Sequence, residues 1–170
     1  MDRCPVNSWW CRKSDRGREW ELARRDSIDK IVAEIRGEIP IHLDNERTFI
    51  LSARADRIEQ RHDGSFAILD YKTGQPPTRT EIELGFAPQL TLEAAMAAKG
   101  GFSGIAAAAV TELSHWRLSG SGDGGKISNV EGDLAELART AYDGLVALLA
   151  HYGNDDATYP ASSDPFFAPR

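Results

Sequence analysis

The chain has 170 residues, 41% hydrophobic and 27% charged, enough for one globular domain burying about two-thirds of its unfolded surface. No apolar run approaches the ~20 residues of a membrane-crossing helix, so no membrane association is expected. With 20 Lys and Arg against 26 Asp and Glu, the net charge is −6, which argues against a free-standing nucleic-acid binder held by charge alone.

Charge is unevenly spread. Residues 1–25 hold seven basic and four acidic groups, and residues 123–170 hold three and eight. Arg12, Lys13, Arg16, Arg18, Arg24 and Arg25 form either a phosphate-contacting stripe or a solvated helix face. The start, Met1-Asp2-Arg3-Cys4-Pro5, lacks the apolar segment of a secretory signal, so a cytoplasmic location is expected. Cys4 and Cys11 match no zinc spacing, and His42, His62, His115 and His151 have no ligand partner at a useful spacing.

In chain order, a helical region is predicted from about Asp15 to Arg36. Its second half carries Ile28, Ile31, Val32 and Ile35 at helical spacing and closes at Gly37. A strand follows from Glu38 to Leu43, then a turn at Asp44-Asn45-Glu46. Two apolar strands come next, Phe49 to Glu59 and Phe66 to Lys72, joined through Arg61-His62-Asp63-Gly64-Ser65. Thr73 to Glu83 reads as a polar loop around Pro76-Pro77. A helix spans Pro88 to Lys99 and closes at Gly100-Gly101. A strand runs from about Gly104 to Leu118, bent near Glu112. After a Gly/Ser loop at Gly120 to Lys126, a helix spans Asp133 to Tyr152, its stripe of Leu134, Leu137, Ala138, Ala141, Leu145, Leu148 and Leu149 packing on the sheet. Residues 153–170 read as an irregular tail of one single domain, 1–170.

The hairpin places charge. A two-residue turn would put Asp56 and Asp70 on opposite sheet faces. A three-residue loop, His62-Asp63-Gly64, with Gly64 in the left-handed region, puts them directly opposite each other. Lys72, two residues on from Asp70, shares its face. Two facing carboxylates repel by roughly 4 kcal/mol at about 4 Å and an effective dielectric near 20. A divalent cation turns that repulsion into shared ligation, and an ammonium beside it suits activation of a water. The plainer alternative is a pair of solvated edge carboxylates, one bound to Arg54 or Arg57.

Ala55-Asp56-Arg57-Ile58, Ile68-Leu69-Asp70-Tyr71-Lys72-Thr73-Gly74 and Gly85-Phe86-Ala87-Pro88-Gln89-Leu90 together resemble the RecB-type nuclease domain of the PD-(D/E)XK superfamily, over about Trp9 to Tyr159. Within that family the pattern is nearest to the C-terminal nuclease domain of AddB, a helicase-nuclease subunit of bacterial double-strand break repair. The resemblance implies an α/β, restriction-endonuclease-like core, a mixed central sheet flanked by helices in the order α-β-β-β-α-β-α. It implies Mg²⁺- or Mn²⁺-dependent hydrolysis of DNA, with Asp56, Asp70 and the Tyr71 backbone carbonyl as ligands and Lys72 as the residue that positions water. Gln89, Arg54 and Thr73 would contact DNA, and a helicase-nuclease subunit of AddA type would be a partner.

The family often has a helical Glu in the site, which makes Glu34 a further candidate; a solvated helix residue is the preferred reading. Some AddB relatives hold an iron–sulfur cluster through four cysteines; with two cysteines, none is expected. Where the family has Tyr four residues after the Gln, this chain has Glu93. An upstream helix carrying a His ligand would precede Trp9, and the chain is expected to lack it, as a fragment or shortened product. The alternative function is a nuclease fold that does not cut and serves as a structural or interaction module. No phosphate-binding glycine loop, serine elbow or Cys/His catalytic pair supports a small-molecule enzyme.

Overall fold

The structure, a computed structural model, describes residues 15–43, 47–117, 125–153 and 157, with side chains from residue 19 onward. The elements are α1 (Asp15–Arg25), β1 (Ile28–His42), β2 (Thr48–Arg61), β3 (Phe66–Lys72), α2 (Arg79–Glu83), α3 (Gln89–Ala98), β4 (Val110–Arg117), β5 (Lys126–Asn129) and α4 (Leu134–Tyr152). One sheet orders them β1-β2-β3-β4-β5. Only β3 and β4 run parallel; the other neighbours are antiparallel. This mixed sheet flanked by helices is the restriction-endonuclease-like α/β arrangement. Cys4, Cys11, Arg12, Lys13, the Asp44-Asn45-Glu46 turn, most of the Gly120 to Lys126 loop and nearly all of the tail lie outside the described residues. Among the described residues no helix is long and apolar enough to cross a membrane.

Residues 28–36 are strand, not helix, paired with β2 along their length. On β1 the positions packed into the main core run Val32 then Ile35; on β2 they run Ile58 then Ala55. A regular strand repeats every two residues. Here the spacing of three mimics a helical stripe. The break falls at Glu34, which has φ 53°, a left-handed value that costs a non-glycine residue about 1 kcal/mol. Glu34 lies between the pairs Ala33–Arg57 and Ile35–Ala55, so the break stands across from Asp56. The β-branched Ile and Val side chains suit the strand that wins.

The main core lies between the sheet and α3. Ile35, Ile39, Ala55, Ile58, Phe66, Ile68 and Leu113 meet Leu90, Ala94, Met96 and Ala97. Alanines let α3 approach the strands closely. The α4 stripe reaches α3 and β4 rather than lying flat on the sheet; Ala138 is buried and Leu148 stays exposed. After α3 the chain crosses β1, where Glu38 N donates to Gly101 O at 2.8 Å and Ser103 N to Arg36 O at 3.1 Å. A Cβ on Gly37 would stand 2.6 Å from Phe102 Cδ1. Gly37 therefore serves this crossing and closes no helix.

Three smaller differences follow from short signals. Thr73 to Glu83 contains α2, started by a capping box in which Thr78 accepts from Glu81 N while Glu81 accepts from Thr78 N. The strand expected from Gly104 begins only at Val110, because the alanine run before it has weak strand preference. The four-residue β5 follows the glycine-rich run and pairs with β4.

The other sheet face is held by charge. Arg57 bonds Glu21 of α1 and pairs with Glu59 at 2.6 Å. Arg24 bonds Glu59 at 2.6 Å and Glu112 at 2.8 Å, and Arg61 bonds Glu112. Trp116, fully buried, sits beneath, with Trp20 edge-on at 5.8 Å and the Arg24 guanidinium 5.6 Å from its ring. Arg24 is thus committed to an internal network and unavailable to phosphate. Burial alone would lower the Arg57 pKa, but the Glu21 bond and the surrounding anionic groups raise it.

Candidate active site

The β2–β3 loop closes with Arg61 N donating to Ser65 O and Gly64 N to Arg61 O, both at 2.9 Å, and Gly64 has φ 81°. Asp63 accepts the Ser65 N–H at 2.9 Å. This three-residue loop sets the register Gln60–Phe66, Ile58–Ile68 and Arg57–Leu69, which carries Asp56 toward Asp70. The ladder stops at Arg57–Leu69. Beyond it, the Tyr71 N–H is taken by Asp56 Oδ2 at 2.9 Å. Asp56 thus lies just past the end of the β2–β3 ladder, with its carboxylate tied to the backbone beside Asp70.

Asp70 is the hub. It is 3% exposed. Lys72 Nζ lies 3.1 Å from its Oδ1 and 2.9 Å from its Oδ2. Gln89 Nε2, from the first turn of α3, donates to Oδ1 at 2.8 Å, and His115 Nδ1 approaches Oδ2 at 3.1 Å. Burial pushes the Asp70 pKa up, but the His115 and Lys72 bonds outweigh it and hold the carboxyl below its usual range. An anionic carboxylate only accepts, so His115 carries its proton on Nδ1. Lys72 also donates to Gln89 Oε1 at 3.1 Å.

Two members of this cluster carry no expected site role from the sequence. His115 faces Asp70 across the parallel β3–β4 pair. That pairing joins segments 45 residues apart, and no local pattern announces it. Glu93 sits one helical turn after Gln89, whose Nε2 reaches its Oε1 at 3.3 Å. Its spacing was legible, but only as a departure from the family pattern. Glu93 is 3% exposed and its Oε2 has no hydrogen-bond partner. Burial first, then repulsion from Asp70 and Asp56, pushes its pKa up to about 7.

Other expected residues stand apart from the hub. Glu34 is exposed on β1 and bonded to Arg54 at 2.8 Å, an exposed pair of the kind that contributes little. Thr73 is exposed just beyond β3. A cleft of about 260 Å³ lined by Ser52, Arg54, Gln89, Glu93 and Met96 opens beside the hub. A second, of about 250 Å³, has His115 in its wall with Arg79, Ser128 and Asn129.

The sequence pattern of the PD-(D/E)XK nuclease superfamily matches residues 6–162. The chain belongs to that superfamily. An uncharacterised protein of Rickettsia bellii is 42% identical over 84 residues, and one of Rickettsia typhi 39% over the same length. Each match covers 49% of this chain but 10% of the relative, so the chain matches about a tenth of the length of these curated relatives. The crystal structure of SSO0001 aligns with a TM-score of 0.41 at 13% identity, covering 76% of this chain and 56% of that one.

In this member of the superfamily the donors fit a hard divalent ion: carboxylate oxygens from Asp56, Asp70 and Glu93, one of them orphaned. Among the described residues no three His, Cys, Asp or Glu side chains already converge as a cage, since Asp70 is turned onto Lys72, Gln89 and His115.

The raised Glu93 pKa has a signed consequence for the metal-free protein. The folded form holds this proton more tightly than the unfolded chain, so the contribution is intact below the ordinary glutamate pKa of 4.5 and is lost as pH rises through about 7. The full shift corresponds to on the order of 3 kcal/mol. Glu93→Gln should therefore gain stability over wild type between pH 5 and pH 8, read from urea midpoints in EDTA. A pH-independent difference would mean that Glu93 does not titrate in this range.

Proposed function

We propose that this chain is a metal-dependent deoxyribonuclease that hydrolyses phosphodiester bonds in DNA. The observation that carries this reading is the Asp70–Lys72 contact on β3, with Asp56 tied to the next backbone N–H. Asp56, Asp70 and the Tyr71 carbonyl would hold Mg²⁺ or Mn²⁺. The bound ion supplies charge neutralisation at the phosphate and an acidified water. Lys72 orients that water and offers a compact positive charge to the phosphate oxygens as negative charge develops. In the metal-free protein Gln89 holds the Lys72 ammonium through its Oε1, and the His115 and Lys72 contacts keep Asp70 anionic, the form in which it would ligate the ion. Arg54 and Thr73, both exposed, contact the DNA backbone. The setting we propose is recombinational double-strand break repair in a bacterial cytoplasm, beside a helicase-nuclease subunit of AddA type. A partner that delivers DNA removes the need for a basic surface, consistent with the net charge of −6.

The test is cleavage of linear DNA by wild type and Asp70→Ala, with Mg²⁺ or Mn²⁺ and with EDTA. The expected result is metal-dependent cleavage by wild type that falls to background in the variant. Equal cleavage by both would assign the activity elsewhere. No cleavage by wild type with either ion would favour the non-cutting module.

A further inference from the structure

We infer that Glu93 is a third carboxylate ligand of the divalent ion, in a position where the family pattern carries Tyr. The inference rests on the nuclease reading of the Asp56–Asp70 site and adds to it a residue from α3. A single amide nitrogen, Gln89 Nε2, lies 2.8 Å from Asp70 Oδ1 and 3.3 Å from Glu93 Oε1. A donor bridging two carboxylates from different elements occupies the kind of place a cation takes. Gln89 is exposed at the surface, and turning its side chain outward would open that place without moving the backbone.

The second oxygen makes the case independent of the bridge. Glu93 Oε2 is buried and has no hydrogen-bond partner, in a residue only 3% exposed. Buried polar atoms are nearly always paired, and an unpaired carboxylate oxygen costs free energy that a ligand would recover. Apolar side chains of similar size would fill the same space on the α3 face without that cost. Its neighbours Leu90, Ala94 and Met96 do so. A carboxylate here also supplies a third negative charge, and charge count is a main control on the affinity of oxygen sites for hard divalent ions.

The test uses the full chain and Mn²⁺ alone. Calorimetric titration of wild type, Glu93→Gln and Asp70→Asn gives affinities, and Mn²⁺ electron paramagnetic resonance in ¹⁷O-water counts the waters on the bound ion. Glu93→Gln should bind Mn²⁺ about tenfold or more weakly and hold one additional water. Weaker binding with an unchanged water count overturns the inference, because charge at a distance would then suffice. Unchanged affinity overturns it too, while leaving the nuclease reading intact. If wild type binds no Mn²⁺, both fall together. Should Glu93→Gln fail to fold in a metal-free thermal melt, Glu93→Asp replaces it, with the carboxylate drawn back by one methylene. The same loss of affinity and added water are then expected, and wild-type values would sink the idea.

Discussion

Lys72→Ala is expected to slow metal-dependent cleavage of linear DNA about a thousandfold, roughly 4 kcal/mol in the barrier, with the fold left intact. The ammonium contacts both oxygens of Asp70 and Gln89 Oε1, so its position is fixed before substrate arrives. A group held this way stabilises developing charge without reorganising during the reaction. Removing it leaves Asp70 with Gln89 and His115, both still in contact, so the thermal midpoint should move by only a few degrees. Lys72→Arg should recover little, since a planar guanidinium replaces a compact point charge. Single-turnover rates check this: the loss should appear in the cleavage step rather than in DNA affinity. Wild-type cleavage by Lys72→Ala would remove the lysine from the chemistry.

The second large effect is on stability. Arg57→Ala should cost about 3–5 kcal/mol, because it strands Glu21 in the interior and leaves Glu59 with Arg24 alone. Both acids are buried, Glu59 completely, and Arg57 contacts each of them. For a domain of this size the thermal midpoint should fall by roughly 10 °C. Replacing Arg57 and Glu21 together by apolar residues of similar volume should return part of the loss, since Arg24 still pairs with Glu59 and a buried ion pair is weakly favourable at best against a packed core. A loss under ~1 kcal/mol for Arg57→Ala would mean that water reaches the two acids.

The same residues show what a sequence can and cannot disclose. The β2–β3 hairpin was legible because its loop length, its Gly64 and its apolar flanks all specify one register. α3 was legible from Pro88 and the Gly100-Gly101 stop. β1 was not: its inward positions are spaced by three around Glu34, which imitates a helix, and the strand is decided by pairing with β2. Arg24 reads from sequence as a phosphate-contacting or solvated basic residue because its partners, Glu59 and Glu112, lie 35 and 88 positions away. At the site, Asp56, Asp70, Lys72 and Gln89 sit in motifs that local pattern exposes. His115 needs the parallel β3–β4 pairing to be known, and Glu93 needs α3 to be docked with its first turn over β3. Both are products of topology, which single-sequence periodicity does not contain.

The crossing at Gly37 bears on how this domain behaves among other chains. The 101–103 segment occupies backbone groups of β1 at Arg36 and Glu38, and the opposite border of the sheet is the four-residue β5. Exposed strand borders are templates on which a neighbouring molecule can extend a sheet. One border is capped in its middle by the chain's own backbone and the other is too short to seed much growth. Self-association through strand addition is disfavoured from either side, so the domain should stay separate from its own copies even when crowded.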